Sequence, residues 1–206
     1  MYTRITMAKR KRNLHGSAPD GSRAALLIID MINDLEFEGG ARLLPGAVAV
    51  AQRIAALKSR ARARGIPAIY ANDNFGRWRS DFREAVRHCL RDDVRGRPLV
   101  ELLRPQEDDY FVIKPKHSAF YATTLATLLR YLGARRLLLT GISGDTCVMF
   151  TAMDGYLRDY QLYVPADCVT SISTRHNRAA LDYMKRTLDA DTRRSEALDL
   201  RAAMRA

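Results

Sequence analysis

Three residues of different chemical character each follow a short apolar run in this 206-residue chain: Asp30, Lys114 and Cys147. A carboxylate, an ammonium and a thiol brought to one place form a nucleophile with its activators. A free thiol titrates near ~8.5 and is mostly protonated at neutral pH. Cys147 opens a helical stretch, where unpaired backbone N–H groups favour the thiolate, and a nearby Lys114 ammonium would favour it further. Asp30 would accept the thiol proton, deliver it to the leaving group and later activate water. The N–H groups of Ser143 and Cys147 would form an oxyanion pocket, in which losing one donor costs roughly 10²–10³ in rate. Singly, each residue has a plainer reading: a loop-anchoring carboxylate, a solvated lysine, a small buried thiol. Jointly they describe a thiol-based acyl-transfer site.

The elements that must position them follow from the apolar pattern. Residues 24–29 are apolar on every side and too short for most helices, as a buried parallel strand should be. Further strands are predicted at 66–71, 110–114, 136–140 and 161–164, with a short last one at 190–192. Helical periods begin at Pro45 and run to Lys58, then recur near 81–90, 99–103, 121–132, 147–160 and 175–188. Gly65 and Gly133 end two of them. Alternation of this kind implies a parallel sheet covered by helices on both faces. In such sheets functional groups gather beyond the carboxyl ends of the strands, where Asp30 and Lys114 stand and where Gly141–Thr146 turns into Cys147.

Several segments resemble the isochorismatase-like cysteine hydrolase superfamily. They are Leu26-Leu-Ile-Ile-Asp-Met-Ile-Asn-Asp34, Val112-Ile-Lys-Pro-Lys-His-Ser-Ala-Phe120, Gly141-Ile-Ser-Gly-Asp-Thr-Cys-Val148, Thr151-Ala-Met-Asp-Gly-Tyr156 and Val164-Pro-Ala-Asp167. They occur in family order over about residues 24–188. The resemblance implies an α/β fold with three layers, α/β/α, around a six-stranded parallel sheet, Rossmann-like in kind. It implies an Asp–Lys–Cys triad at Asp30, Lys114 and Cys147, and a cis peptide at Ile142–Ser143 before the oxyanion-hole residue. It also implies a homo-oligomer, with no subunit number fixed. Cys147 favours hydrolysis of a C–N bond, amide or carbamoyl. Nicotinamidases carry a metal site beginning Asp-x-His after the second strand; here the stretch reads Asn72-Asp-Asn-Phe-Gly76, with Phe75 where that histidine falls. The four histidines (His15, His88, His117 and His176) are scattered, so no metal and no cofactor are expected. His117 reads as a hydrogen-bonding loop residue.

Substrate contacts are sought in the stretch 72–81, at the end of the second strand. Asn72 opens it, and it holds the only tryptophan, Trp78, between Arg77 and Arg79. An arginine can fork onto a carboxylate and an aromatic ring can cover a planar ligand. The expected substrate is therefore a small planar amide or carbamoyl compound bearing an acid. Phe37 and Phe120 are added as pocket walls from the resemblance. Cys89, with Phe82 and Val86 on an apolar stripe, and Cys168 read as structural.

Composition narrows the field. The chain is 47% hydrophobic and 28% charged, the profile of a globular protein. Its longest apolar run falls far short of the ~20 residues that span a bilayer, and the start lacks a secretory pattern. Three widely spaced cysteines without a CxxC pair suit a reducing cytoplasm. The net charge of +11 raises a nucleic-acid partner, but +5 of it lies in residues 1–23, read as a basic mobile tail before a domain at 24–192 and a C-terminal extension at 193–206. Two alternatives stand beside the cysteine hydrolase: isochorismatase-type enol-ether hydrolysis using Asp30, and a non-catalytic basic binding protein.

Overall fold

The computed structural model describes residues 21–74, 81–91 and 93–204. Five parallel strands form one sheet in the order β3-β2-β1-β4-β5. They are β1 (Ala24–Ile29), β2 (Ala68–Asp73), β3 (Tyr110–Lys114), β4 (Arg136–Gly141) and β5 (Gln161–Tyr163). The central strand β1 is fully buried, and its side chains alternate between two cores as a pleated strand requires. Ala24, Leu26 and Ile28 join the core under α1 (Gly40–Arg62), α2 (Phe82–Arg91) and α3 (Arg97–Leu102). Ala25, Leu27 and Ile29 join the core under α4 (Leu125–Leu132), α5 (Met149–Tyr156) and α6 (Thr174–Thr187). Each buried Leu or Ile contributes about 1.5–3 kcal/mol relative to exposure, so both faces need their helical cover.

The α/β layering matches the sequence reading, with differences at the edges. The sheet has five strands rather than six. The expected last strand at 190–192 is reduced to one parallel bridge, Tyr163 with Asp191. β2 begins two residues later than expected, after Pro67, which has no N–H for a ladder. α1 begins before Pro45 and carries it inside its early turns. The helix expected from residue 121 starts at Leu125, and the one expected from Cys147 is split into a π turn, Gly144–Val148, followed by α5.

Most of the basic stretch 1–23 lies outside the described residues, but Ser22 is already tied down, donating its N–H to the Leu132 carbonyl at 2.7 Å. The C-terminal extension folds back onto the α1 face: Leu198, Leu200 and Ala203 enter that core, and Arg60 donates to the Ser195 and Leu198 carbonyls at 2.8 and 3.1 Å. No described helix is long and apolar enough to cross a membrane.

The strand order reverses between β1 and β4. A crevice opens beyond the carboxyl ends at such a switch point, because the connections leave in opposite directions. Asp30 follows β1, and the turn holding Cys147 follows β4.

Candidate active site

Each functional side chain is placed by the end of a strand. Lys114 is the last residue of β3, pairs in register with Asp73 at the end of β2, and is 0% exposed. Asp30 follows β1 with φ 53°, a left-handed conformation that is uncommon for a residue with a side chain. That turn directs the chain out of the sheet while Asp30 Oδ1 accepts the Asp73 N–H at 2.8 Å. Gly141, with φ +116°, ends β4 so close to β1 that a Cβ would lie 2.0 Å from the Ile29 carbonyl oxygen. Only glycine lets β4 pass there.

Beyond Gly141 the Ile142–Ser143 peptide is cis, as the resemblance implied. The π turn then carries Cys147 inward. It is docked on the segment after β5: Gly144 N–H donates to the Thr170 carbonyl at 2.9 Å, and Asp145 N–H to Ser171 Oγ at 3.1 Å.

The structure brings Asp30, Lys114 and Cys147 together. Lys114 Nζ lies 2.9 Å from Asp30 Oδ2, 3.6 Å from Cys147 Sγ and 3.4 Å from Asp73 Oδ2, and donates to the Lys116 carbonyl at 3.3 Å. The Asp30 carboxylate and the Cys147 thiol also influence each other electrostatically. Burial drives the electrostatics. It pushes Asp30 above its ordinary value against the pull of Lys114. It opposes the Lys114 ammonium, yet Asp30, Cys147 and Asp73 together raise that group. Burial first, then the Asp30 charge, push the Cys147 thiol up to about 12. The sequence reading named two influences that favour the thiolate, the helix start and Lys114; the sulfur also sits in a low-dielectric core beside an anion, and Lys114 does not offset both.

Two neighbours of the cluster had no assigned role in the sequence reading. Asp73 joins Lys114 to Asp30 through its carboxylate and its N–H; its position at the end of β2, matching Lys114 at the end of β3, is the signal that marks it. His117, read as a loop residue, places Nδ1 3.7 Å from Cys147 Sγ. It stands three residues after Lys114, in a loop that must cross the same crevice.

The proposed substrate contacts fare differently. Asn72 is 0% exposed, and its side-chain amide is engaged at both ends by one residue, donating to the Ile32 carbonyl at 2.6 Å and accepting the Ile32 N–H at 3.3 Å. It holds the loop after Asp30 and does not line a pocket. Phe120 is 5% exposed and packs on Tyr160 and under Arg158, in the core of the α5 face. It is a core residue, so its expected role as a pocket wall is withdrawn. Phe37 is a 44% exposed side chain on the loop leading to α1. Trp78 and Arg79 lie outside the described residues. Cys89 and Cys168 are buried in the core under α1, across the sheet from Cys147.

A doubly covered parallel sheet with a carboxylate, an ammonium and a thiol meeting at its switch point defines an α/β protein with a built polar site at the strand ends. Residues 24–195 match the isochorismatase domain, and the chain belongs to the isochorismatase family. It is 41% identical over 174 residues to YaaI, an uncharacterized isochorismatase family protein of Bacillus subtilis, covering 84% of this chain and 95% of that one. It is 30% identical to the maleamate amidohydrolase of Pseudomonas putida, covering 88% of each. Among solved structures it is similar to the N-carbamoylsarcosine amidase of Thermoplasma acidophilum, at 28% identity and a TM-score of 0.66, covering 86% of this chain and 99% of that one.

Proposed function

We propose that this chain is a cysteine hydrolase that cleaves a C–N bond, amide or carbamoyl, in a small acid-bearing substrate, working without a metal and as a homo-oligomer. The observation that carries the proposal is the buried contact of Lys114 with both Asp30 and the Cys147 sulfur. A buried lysine, carboxylate and thiol are costly to desolvate, and an apolar trio would pack there at less cost. The names amidohydrolase and amidase carried by relatives support the C–N bond. Phe75, standing in the Asn72–Gly76 stretch where nicotinamidases carry a histidine, supports a mechanism that runs on side chains.

The electrostatics give the order of events. Cys147 rests as a thiol beside the Asp30 carboxylate. As a substrate carbonyl reaches the sulfur, Asp30 takes the thiol proton, the S–C bond forms, and the carbonyl electron pair moves onto oxygen. The Ser143 and Cys147 N–H groups receive that oxyanion. Lys114 keeps Asp30 ionised and stabilises the sulfur anion as it develops. The C–N bond then breaks, and the departing nitrogen takes the proton from Asp30. Water, deprotonated by Asp30, attacks the thioester; the acid leaves and the sulfur regains its proton.

The test is ammonia release from a panel of amides, ureas and carbamoyl acids. The wild-type chain is expected to turn over at least one member, and Cys147→Ser to lose at least about 10³-fold in rate. Hydrolysis that survives Cys147→Ser overturns the cysteine assignment, and survival specifically toward an enol ether transfers the chemistry to Asp30.

A further inference from the structure

The Cys147 sulfur is flanked on two sides. Lys114 stands on its buried side at 3.6 Å; on the solvent side stands His117, an exposed side chain with Nδ1 at 3.7 Å. The imidazole is held there. Its ring lies against Phe150, with centroids 5.4 Å apart. The next two residues pin its loop to α5: Ser118 Oγ donates to Asp154 Oδ2 at 2.5 Å, and Ala119 N–H donates to Thr151 Oγ1 at 3.0 Å. Thr151 Oγ1 in turn donates to the Cys147 carbonyl at 2.7 Å, so the loop and the nucleophile share one anchor. Any carbonyl carbon that approaches Sγ to the ~3–3.5 Å of a near-attack geometry brings its substituents beside this ring.

We propose that His117 is a specificity-determining residue whose imidazolium attracts an anionic group on the molecule approaching Cys147. The inference rests on the cysteine hydrolase reading, and it makes the preference for acid-bearing substrates dependent on pH. Histidine changes charge between about pH 5 and 8. The other ionisable groups around it are Lys114 and Lys116 on its own segment, Asp30 after β1, Asp73 on β2, Cys147 on the π turn and Asp154 on α5. Lys114, whose ammonium Asp30, Cys147 and Asp73 favour, remains cationic throughout that window. Asp30, whose carboxyl is raised by burial, can also lose its negative charge at low pH, and the test must separate this from the histidine.

Two alkylating probes of similar size and different charge, iodoacetate and iodoacetamide, provide that test without requiring a substrate. In each, the sulfur–carbon bond forms, iodide leaves and the thiol proton passes to Asp30. Rates are followed at Cys147 by peptide mass spectrometry from pH 5.5 to 8. The iodoacetate-to-iodoacetamide ratio is expected to fall about fivefold with rising pH in the wild type, the size of one exposed charge contact. His117→Gln is expected to remove most of that fall, leaving any part due to Asp30. His117→Lys is expected to give a high ratio that no longer follows pH. The same pH dependence in the wild type and His117→Gln overturns the proposal, as does a low ratio in His117→Lys. Failure of every amide in the ammonia panel would sink the hydrolase reading while leaving this ratio measurable, so the two failures are distinguishable.

Discussion

Replacing Lys114 by methionine tests the electrostatic core of the site. Lys114 is completely buried, and its ammonium faces two carboxylates, Asp30 at 2.9 Å and Asp73 at 3.4 Å. Methionine keeps the volume and removes the charge, leaving Asp30 ionised, 6% exposed and uncompensated. Breaking one partner of such a pair costs roughly 3–5 kcal/mol. The chain can limit that loss by protonating Asp30, at about 1.4 kcal/mol per pH unit above its folded pKa. Burial already raises Asp30, and a raised carboxyl opposes folding increasingly as pH climbs from its unfolded to its folded value. Removing Lys114 raises it further. The loss of stability in Lys114→Met is therefore expected to be about 3–5 kcal/mol at pH 8 and clearly smaller at pH 5. Urea titrations of both proteins at the two pH values measure it, with an unchanged slope showing that the folded state is comparable. Adding Asp30→Asn should return much of the loss, because the buried anion is then gone. A loss below about 1 kcal/mol, or the same loss at both pH values, would refute the claim that a buried ion pair holds this site.

Three further outcomes follow from the same geometry. Iodoacetamide should alkylate Cys147 before Cys89 or Cys168, because Cys147 is the most exposed of the three at 9% and Asp30 can take its proton; equal labelling by mass spectrometry would contradict this. Activity should fall on the acid side as Asp30 protonates, with a midpoint above the usual carboxylate range because burial raises that group, and a pH–rate profile whose acid limb lies at or below that range would oppose Asp30 as base. Asn72→Ala leaves the buried N–H and carbonyl of Ile32 unpaired and should cost about 2–4 kcal/mol in a denaturant titration, whereas a substrate contact would raise KM without that loss of stability.

The parts of this molecule that local pattern can encode were legible in the sequence. β1 at Ala24–Ile29 and β3 at Tyr110–Lys114 have the expected bounds, because a short apolar run closed by a polar residue describes a strand both in the buried centre, as in β1, and at the sheet edge, as in β3 with its exposed Phe111. The strand ends then gave the positions of Asp30 and Lys114. The side chains that depend on where distant segments meet were not legible. Asn72 stands beside Asp73, which does contact Lys114 and Asp30, yet in β2 a shift of one position turns a side chain to the opposite face; Phe120 lies three residues after His117 and is already in the core of the α5 face. The sixth strand failed for a related reason: 190–192 meets the sheet at its edge, where β5 is only three residues long and offers little to pair with.

The surroundings of the sulfur show how far residue types alone can describe a proposed nucleophile. Cys147 at the start of a helical segment, with a lysine elsewhere in the chain, argues for a thiolate, since both effects are attractive and both can be read from residue types. The opposing effects are non-local. Val148 and Ala152 with Leu139 of β4 build an apolar surrounding for the turn, and β1 delivers an anion to the same crevice. Desolvation penalises the thiolate, and Asp30 both repels it and offers it a base. A resting thiol beside a raised carboxylate suits a site that must generate its nucleophile only once a substrate is in place. A permanent thiolate open to solvent would react with any electrophile or oxidant that reached it. On the proposed cysteine hydrolase reading, the burial that raises the Cys147 thiol makes proton transfer to Asp30 the gate on its reactivity, with His117 Nδ1 3.7 Å from the sulfur on the solvent side.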